Sequence, residues 1–113
     1  MSTIQPVNPR ASVRAVPVED IDFDGPVPAG TFEFFSSTAF GPDAGILFGC
    51  PCGCGEMKTV SFKSERRPVW QWDGNREQPT LTPSINILQL NEAGQPVGEH
   101  WHGWLTAGEF RSC

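Results

Sequence analysis

The chain has 113 residues, a formal net charge of −5 and 38% hydrophobic residues, enough for one domain that buries roughly two thirds of its unfolded surface. Its 12 glycines and 11 prolines make up about a fifth of the residues, which argues against long helices and for a loop-rich β domain that profits from a metal. The acidic balance (pI ≈ 4.8) excludes a sequence-independent nucleic-acid binder, which needs a basic face, and no apolar run approaches the ~20 residues of a membrane span.

Residues 1–30 read as an extended arm, because Pro6, Pro9, Pro17, Pro26 and Pro28 recur without helical periodicity and favour polyproline or extended backbone. Within it, Asp20-Ile21-Asp22-Phe23-Asp24-Gly25 copies the first half of a calcium loop. The bidentate acid at the twelfth position would be Thr31, and Pro26 and Pro28 break the flanking helix, so a solvated acidic turn is the better reading.

From Thr31 onward the pattern is β, and a domain over 31–113 is expected. Thr31 to Ser36 is rich in aromatics, and Gly41-Pro42-Asp43-Ala44-Gly45 has turn chemistry. Ile46-Leu47-Phe48 is a short buried run; Val60 with Phe62 and Trp70 with Trp72 alternate as on one strand face. Ser84 to Leu90 is the longest strand candidate, Asn91 to Pro96 turns it back toward Glu99 to Leu105, and Ala107-Gly108 turns again into Phe110. The fold class expected is all-β: a small zinc-stapled antiparallel meander or sandwich of about six short strands, with the Pro-rich arm in front.

Soft metal ligands gather in two knots. Cys50, Cys52 and Cys54 fall within five positions, separated by Pro51 and Gly53, whereas His100 and His102 lie near Cys113 at the far end. No basic-apolar-small leader opens the sequence, so these cysteines read as metal ligands in a reducing compartment, with host cytoplasm as the expected location. Thiolates and imidazoles suit a structural Zn²⁺ with four tetrahedral ligands. His100 and His102 would leave one face of an extended strand. Cys50, Cys52 and His102 lead the candidates, Cys54 and His100 compete for the rest, and Cys113 is available if the C-terminus folds back.

Other chemistries match less well. A Rieske cluster needs Cys-x-His and Cys-x-x-His, and a zinc deaminase needs His-x-Glu ahead of Pro-Cys-x-x-Cys; this chain has Cys-x-Cys followed late by His-x-His. A deubiquitinase-like metalloprotease shares His-x-His but needs a serine where Phe110 stands. There is no Gly-x-Ser-x-Gly and no phosphate loop, so catalytic machinery is not visible along the chain.

Four ordered pieces carry a resemblance: Phe48 to Gly55, Trp70-Gln71-Trp72-Asp73-Gly74, Pro79-Thr80-Leu81-Thr82-Pro83-Ser84-Ile85, and His102-Gly103-Trp104-Leu105-Thr106-Ala107-Gly108. Together, over residues 46–113, they resemble an uncharacterised domain family carried by tailed bacteriophages and prophages, with relatives beside bacterial ubiquitin-like conjugation genes. The resemblance implies a small zinc-bound β domain without an established activity. Family members commonly place a cysteine shortly before the histidine matching His102; Glu99, His100 and Trp101 stand there instead, and His100 is the natural substitute. The segment Pro79 to Ile85 reads as a rigid edge that orients the sheet, or as a recognition ledge beside Trp70 and Trp72.

The function expected from this reading is a non-enzymatic, zinc-stapled protein-interaction module of phage or prophage origin, docked on a protein partner such as a virion component. The rival from another class is a small zinc hydrolase whose metal keeps one position open for water.

Overall fold

The computed structural model describes residues 12–22 and 24–113. Its strands are β1 (Ser12–Arg14), β2 (Val16–Pro17), β3 (Thr31–Ser37), β4 (Gly41–Gly49), β5 (Met57–Ser61), β6 (Gln71–Trp72), β7 (Leu81–Thr82), β8 (Ile85–Leu90), β9 (Pro96–Thr106) and β10 (Glu109–Ser112). No helix occurs among the described residues. One four-stranded sheet has the order β1-β10-β9-β8, a second the order β2-β3-β4-β5, and β6-β7 form a small ribbon. All pairings are antiparallel except β2 with β3.

The two larger sheets share one core. Phe32, Ile46, Phe48 and Val60 come from one, and Ile85, Trp101, Leu105 and Phe110 from the other. Phe48 and Phe110 stack across the interface with centroids 5.1 Å apart, and each fully buried aromatic of this size contributes about 2–3 kcal/mol. On β9, Trp101, Gly103 and Leu105 are buried while Trp104 is exposed, the period-two pattern of a strand with one face on a core. That alternation turns His102 and Trp104 away from the core.

The all-β expectation holds, with ten strands among the described residues rather than about six, and the longest is β9, with 11 residues, rather than the segment from Ser84 to Leu90. The turn expected over Gly41 to Gly45 lies inside β4, because Phe35 pairs with Gly45 and Ser37 with Gly41, which leaves residues 42–44 as an irregularity within the strand. Positive φ at Gly41 and Asp43 makes that bend possible without ending the pairing. The true turn precedes it, where the Ser37 hydroxyl accepts from the amides of Ala39 and Phe40.

Residues 12–17 fall in the segment expected to be an arm. There β1 pairs with β10 and β2 with β3, so the chain crosses from one sheet to the other at Ala15, which is buried in the shared core. Ile21 and Val27 are buried as well. In the acidic turn the Asp22 carboxylate accepts from the Asp24 amide at 2.8 Å. Phe23, Pro6 and Pro9 lie outside the described residues.

Candidate functional site

The cysteine knot follows directly from β4. Cys50 continues its buried run and is itself fully buried; its amide donates to the Glu56 carbonyl at 2.9 Å, and the Gly53 amide donates back to the Cys50 carbonyl at 3.0 Å. This tight hairpin requires φ of +88° at both Gly53 and Gly55, a conformation that residues with a Cβ adopt at a cost. Gly55 also lies under Pro26, and its carbonyl accepts from the Val27 amide at 2.8 Å, so the knot is held by the N-terminal segment.

Opposite the knot, β9 delivers His100. Its Nε2 lies 3.3 Å from Cys52 Sγ and 3.4 Å from Cys54 Sγ, and Cys50 Sγ is 3.4 Å from Cys52 Sγ. The ligand atoms of Cys50, Cys52, Cys54 and His100 all lie within 4.8 Å of one another, and the cysteines are not disulfide-bonded. The other ring nitrogen of His100, Nδ1, meets Gln89 Oε1 at 3.0 Å, which makes Nδ1 the protonated nitrogen and leaves Nε2 free for a metal.

Without a metal, burial first and the neighbouring thiol of Cys52 next push the Cys50 thiol up to about 12. A buried thiol of that kind is poorly matched to protein alone and well matched to a soft cation that displaces its proton. Lys58 lies nearby; burial opposes its charge, but Glu56, paired with it at 2.7 Å, and the thiols of Cys50 and Cys54 raise its pKa overall. The donor set is compatible with a metal site.

Of the five residues expected as metal ligands, four meet in this cluster. His102 faces elsewhere: its Nε2 lies 3.1 Å from Ser84 Oγ, and its Nδ1 lies 3.4 Å from Glu99 Oε2. With the Glu99 carboxylate beside Nδ1, the tautomer that carries its proton on Nδ1 leaves Nε2 to accept from the serine hydroxyl. Ser84 directly precedes β8, and its carbonyl accepts from Trp70 Nε1 at 3.2 Å. The His102 carbonyl accepts from the Cys113 amide at 3.0 Å, so both partners are fixed through their backbones. Cys113 is not one of the four clustered ligands. A cleft of about 310 Å³ is lined by Cys52, Glu99, His100, His102 and Cys113 among others; Ser84 is not part of its lining.

The meeting of Glu99 with His102 depends on a register shift. Ile87 pairs with Trp101 and Leu88 with Glu99, so His100 is an extra residue with no partner on β8. In an unbroken strand, residues three apart point to opposite faces. The bulge at His100 brings Glu99 onto the face of His102 and frees His100 to reach the knot.

Sequence reasoning missed Ser84 and Glu99 as chemical groups. Ser84 reads as part of an edge or ledge and as the start of a strand, and Glu99 as the start of the returning strand and a departure from a family pattern. Ser84 precedes His102 by 18 residues and belongs to no Gly-x-Ser-x-Gly elbow, so nothing local marks it. A polar residue at the mouth of a strand opposite an outward histidine was the one available signal.

No curated protein and no solved structure matches the chain. A family model described as "Bacterial ubiquitination-like system serine protease (BubE)" matches residues 22–113. This finding corrects three expectations: the phage zinc-domain resemblance, the non-enzymatic module of phage origin, and the association with a virion. The pieces that carried the resemblance all lie within the matched residues, and Ser84 and His102, far apart in sequence, meet only where the chain enters β8 beside β9. The chain belongs to the BubE family, the serine proteases of a bacterial ubiquitination-like system.

Proposed function

We propose that this protein is a serine peptidase of a bacterial ubiquitination-like system, in which Ser84 is the nucleophile, His102 the general base and Glu99 the group that orients the imidazole. The observation that carries the reading is the 3.1 Å approach of Ser84 Oγ to His102 Nε2, with Glu99 behind the ring, in a chain of a serine-protease family. Ser84 Oγ bonds to the carbonyl carbon of the scissile amide while His102 Nε2 takes the hydroxyl proton. The C–N bond then breaks, the same proton passes to the departing amine, and water hydrolyses the acyl-serine with His102 again as base. Glu99 stabilises the imidazolium that forms between these steps. The substrate class is an amide or isopeptide at the C-terminus of a ubiquitin-like protein; that protein is the partner, and the reducing interior of the bacterial cell is the setting.

The metal that fits Cys50, Cys52, Cys54 and His100 is Zn²⁺ in a structural role. Three thiolates and one imidazole complete a tetrahedral shell. Such a shell leaves no place for a water, which separates this reading from a zinc hydrolase with an open position. When bound, the ion supplies cross-linking between the knot after β4 and strand β9; the hydrolytic chemistry belongs to the side chains.

A fluorophosphonate probe tests the assignment. Wild-type protein is expected to take up one probe per chain at Ser84, located by peptide mass, and to cleave a ubiquitin-like protein extended at its C-terminus. Loss of both in Ser84→Ala with an unchanged melting curve supports the reading, whereas labelling that persists in Ser84→Ala refutes it.

A further inference from the structure

We propose that the metal controls the peptidase by holding the bulge at His100, so that Glu99 faces His102 only when the Cys/His cluster is loaded. This rests on the serine-peptidase reading and adds a regulatory link to it. The two groups of side chains are not independent neighbours: Glu99, His100 and His102 lie within four consecutive residues of β9, and His100 is the residue that the pairing with β8 leaves over. Its ring joins the knot through Cys52 and Cys54, while Glu99 reaches His102 Nδ1 at 3.4 Å.

Little else fixes this part of the strand. Residues 96–99 are exposed, a second shift at Val97 breaks the register again, and the side chains opposite, Leu88 and Leu90, are about half exposed. On the N-terminal side of Trp101 no buried side chain on β9 opposes a slide into the unbulged register. That slide would remove the extra residue and return Glu99 to the other face of the strand. The anchor at His100 therefore decides which of two pairings β9 adopts at its outer end. A metal bound through His100 favours the bulged pairing by its differential affinity for it. Gln89, which holds His100 Nδ1 from the partner strand, supports the same pairing and acts as a positioning residue for the ligand.

The experiment uses the full chain in zinc-loaded and chelator-treated forms, reading zinc content, amide NMR dispersion and the rate of fluorophosphonate labelling at Ser84. The expected result is a folded zinc-free protein that labels about tenfold more slowly or worse, regains its rate with added zinc, and loses the downfield Nδ1–H resonance of His102 in between. A folded zinc-free protein that labels at the full rate overturns the proposal. If removal of zinc unfolds the chain, zinc-loaded His100→Cys decides: it keeps a four-ligand site but draws the bulge toward the knot by a shorter side chain. One zinc per chain, an unchanged KM and a kcat reduced about tenfold support the link, and a full kcat with zinc bound overturns it. Labelling of zinc-loaded Ser84→Ala would instead refute the nucleophile itself, so the two failures are told apart.

Discussion

The two halves of β9 differ in almost every respect. From Trp101 to Thr106 the strand keeps strict alternation, pairs in register with β10 over residues 103–106 and buries Trp101, Gly103 and Leu105. From Pro96 to His100 it is largely exposed and contains two register shifts against β8. The regular half presents His102 on a rigid support, and the irregular half aims Glu99 and His100 where alternation alone would not send them. Packing energy and chemical reach are thus separated along one strand, with the bulge as the joint between them.

That contrast can be broken most severely at the cluster of Cys50, Cys52, Cys54 and His100. Cys50→Ser is expected to abolish stoichiometric zinc and to lower the melting temperature sharply, since structural zinc contributes on the order of 10 kcal/mol in small domains. Cys113→Ser, outside the four-residue cluster, should keep one zinc per chain; elemental analysis beside thermal melting distinguishes the two.

Next in size is the loss of chemistry without loss of fold. Ser84→Ala and His102→Ala should each lower kcat by about 10⁴-fold or more, and combining them should add little. Melting temperatures within a few degrees of wild type would confirm that the regular half tolerates changes on its outward face.

A large effect of the opposite kind is expected inside. Phe110→Ala removes a fully buried ring that stacks on Phe48 and meets Trp101 edge-on, and should cost about 3–5 kcal/mol by urea denaturation. Per folded molecule, kcat should change far less than in Ser84→Ala.

Smaller, and diagnostic of the irregular half, is Glu99→Gln. We expect kcat to fall about 10²-fold with KM and zinc content unchanged, because the side chain is exposed and acts through His102. Equal losses in kcat and zinc would place Glu99 in the metal's support instead.

The smallest effect sharpens the comparison from the other side. Leu90 is 51% exposed opposite the second register shift, so Leu90→Ala should change stability by no more than about 0.5 kcal/mol. A cost near that of Phe110→Ala would mean that the outer half carries packing energy after all.

Much of the molecule was legible before folding was considered. The density of glycine and proline, the alternation of Val60 with Phe62 and of His100 with His102, and the turns at Asn91 and Ala107 are local signals, and they led to the all-β class and to the β8–β9 hairpin. The meeting of Cys50, Cys52 and Cys54 with a histidine of the other knot was legible too, because three thiols in five residues converge without help from the rest of the chain. Less legible were β1 and β2, since short strands in a Pro-rich segment become strands only by pairing with β10 and β3.

Which histidine joins the cysteine cluster, and which faces a serine, was decided by tertiary structure. His100 and His102 look equivalent in an extended strand, two residues apart and on one face. The bulge separates their destinies, and a bulge is a property of the pairing between β9 and β8 rather than of either sequence alone. Composition and spacing determined the class of fold and the soft donors. The Ser84–His102–Glu99 arrangement exists only because two strands meet in a register that local chemistry does not encode.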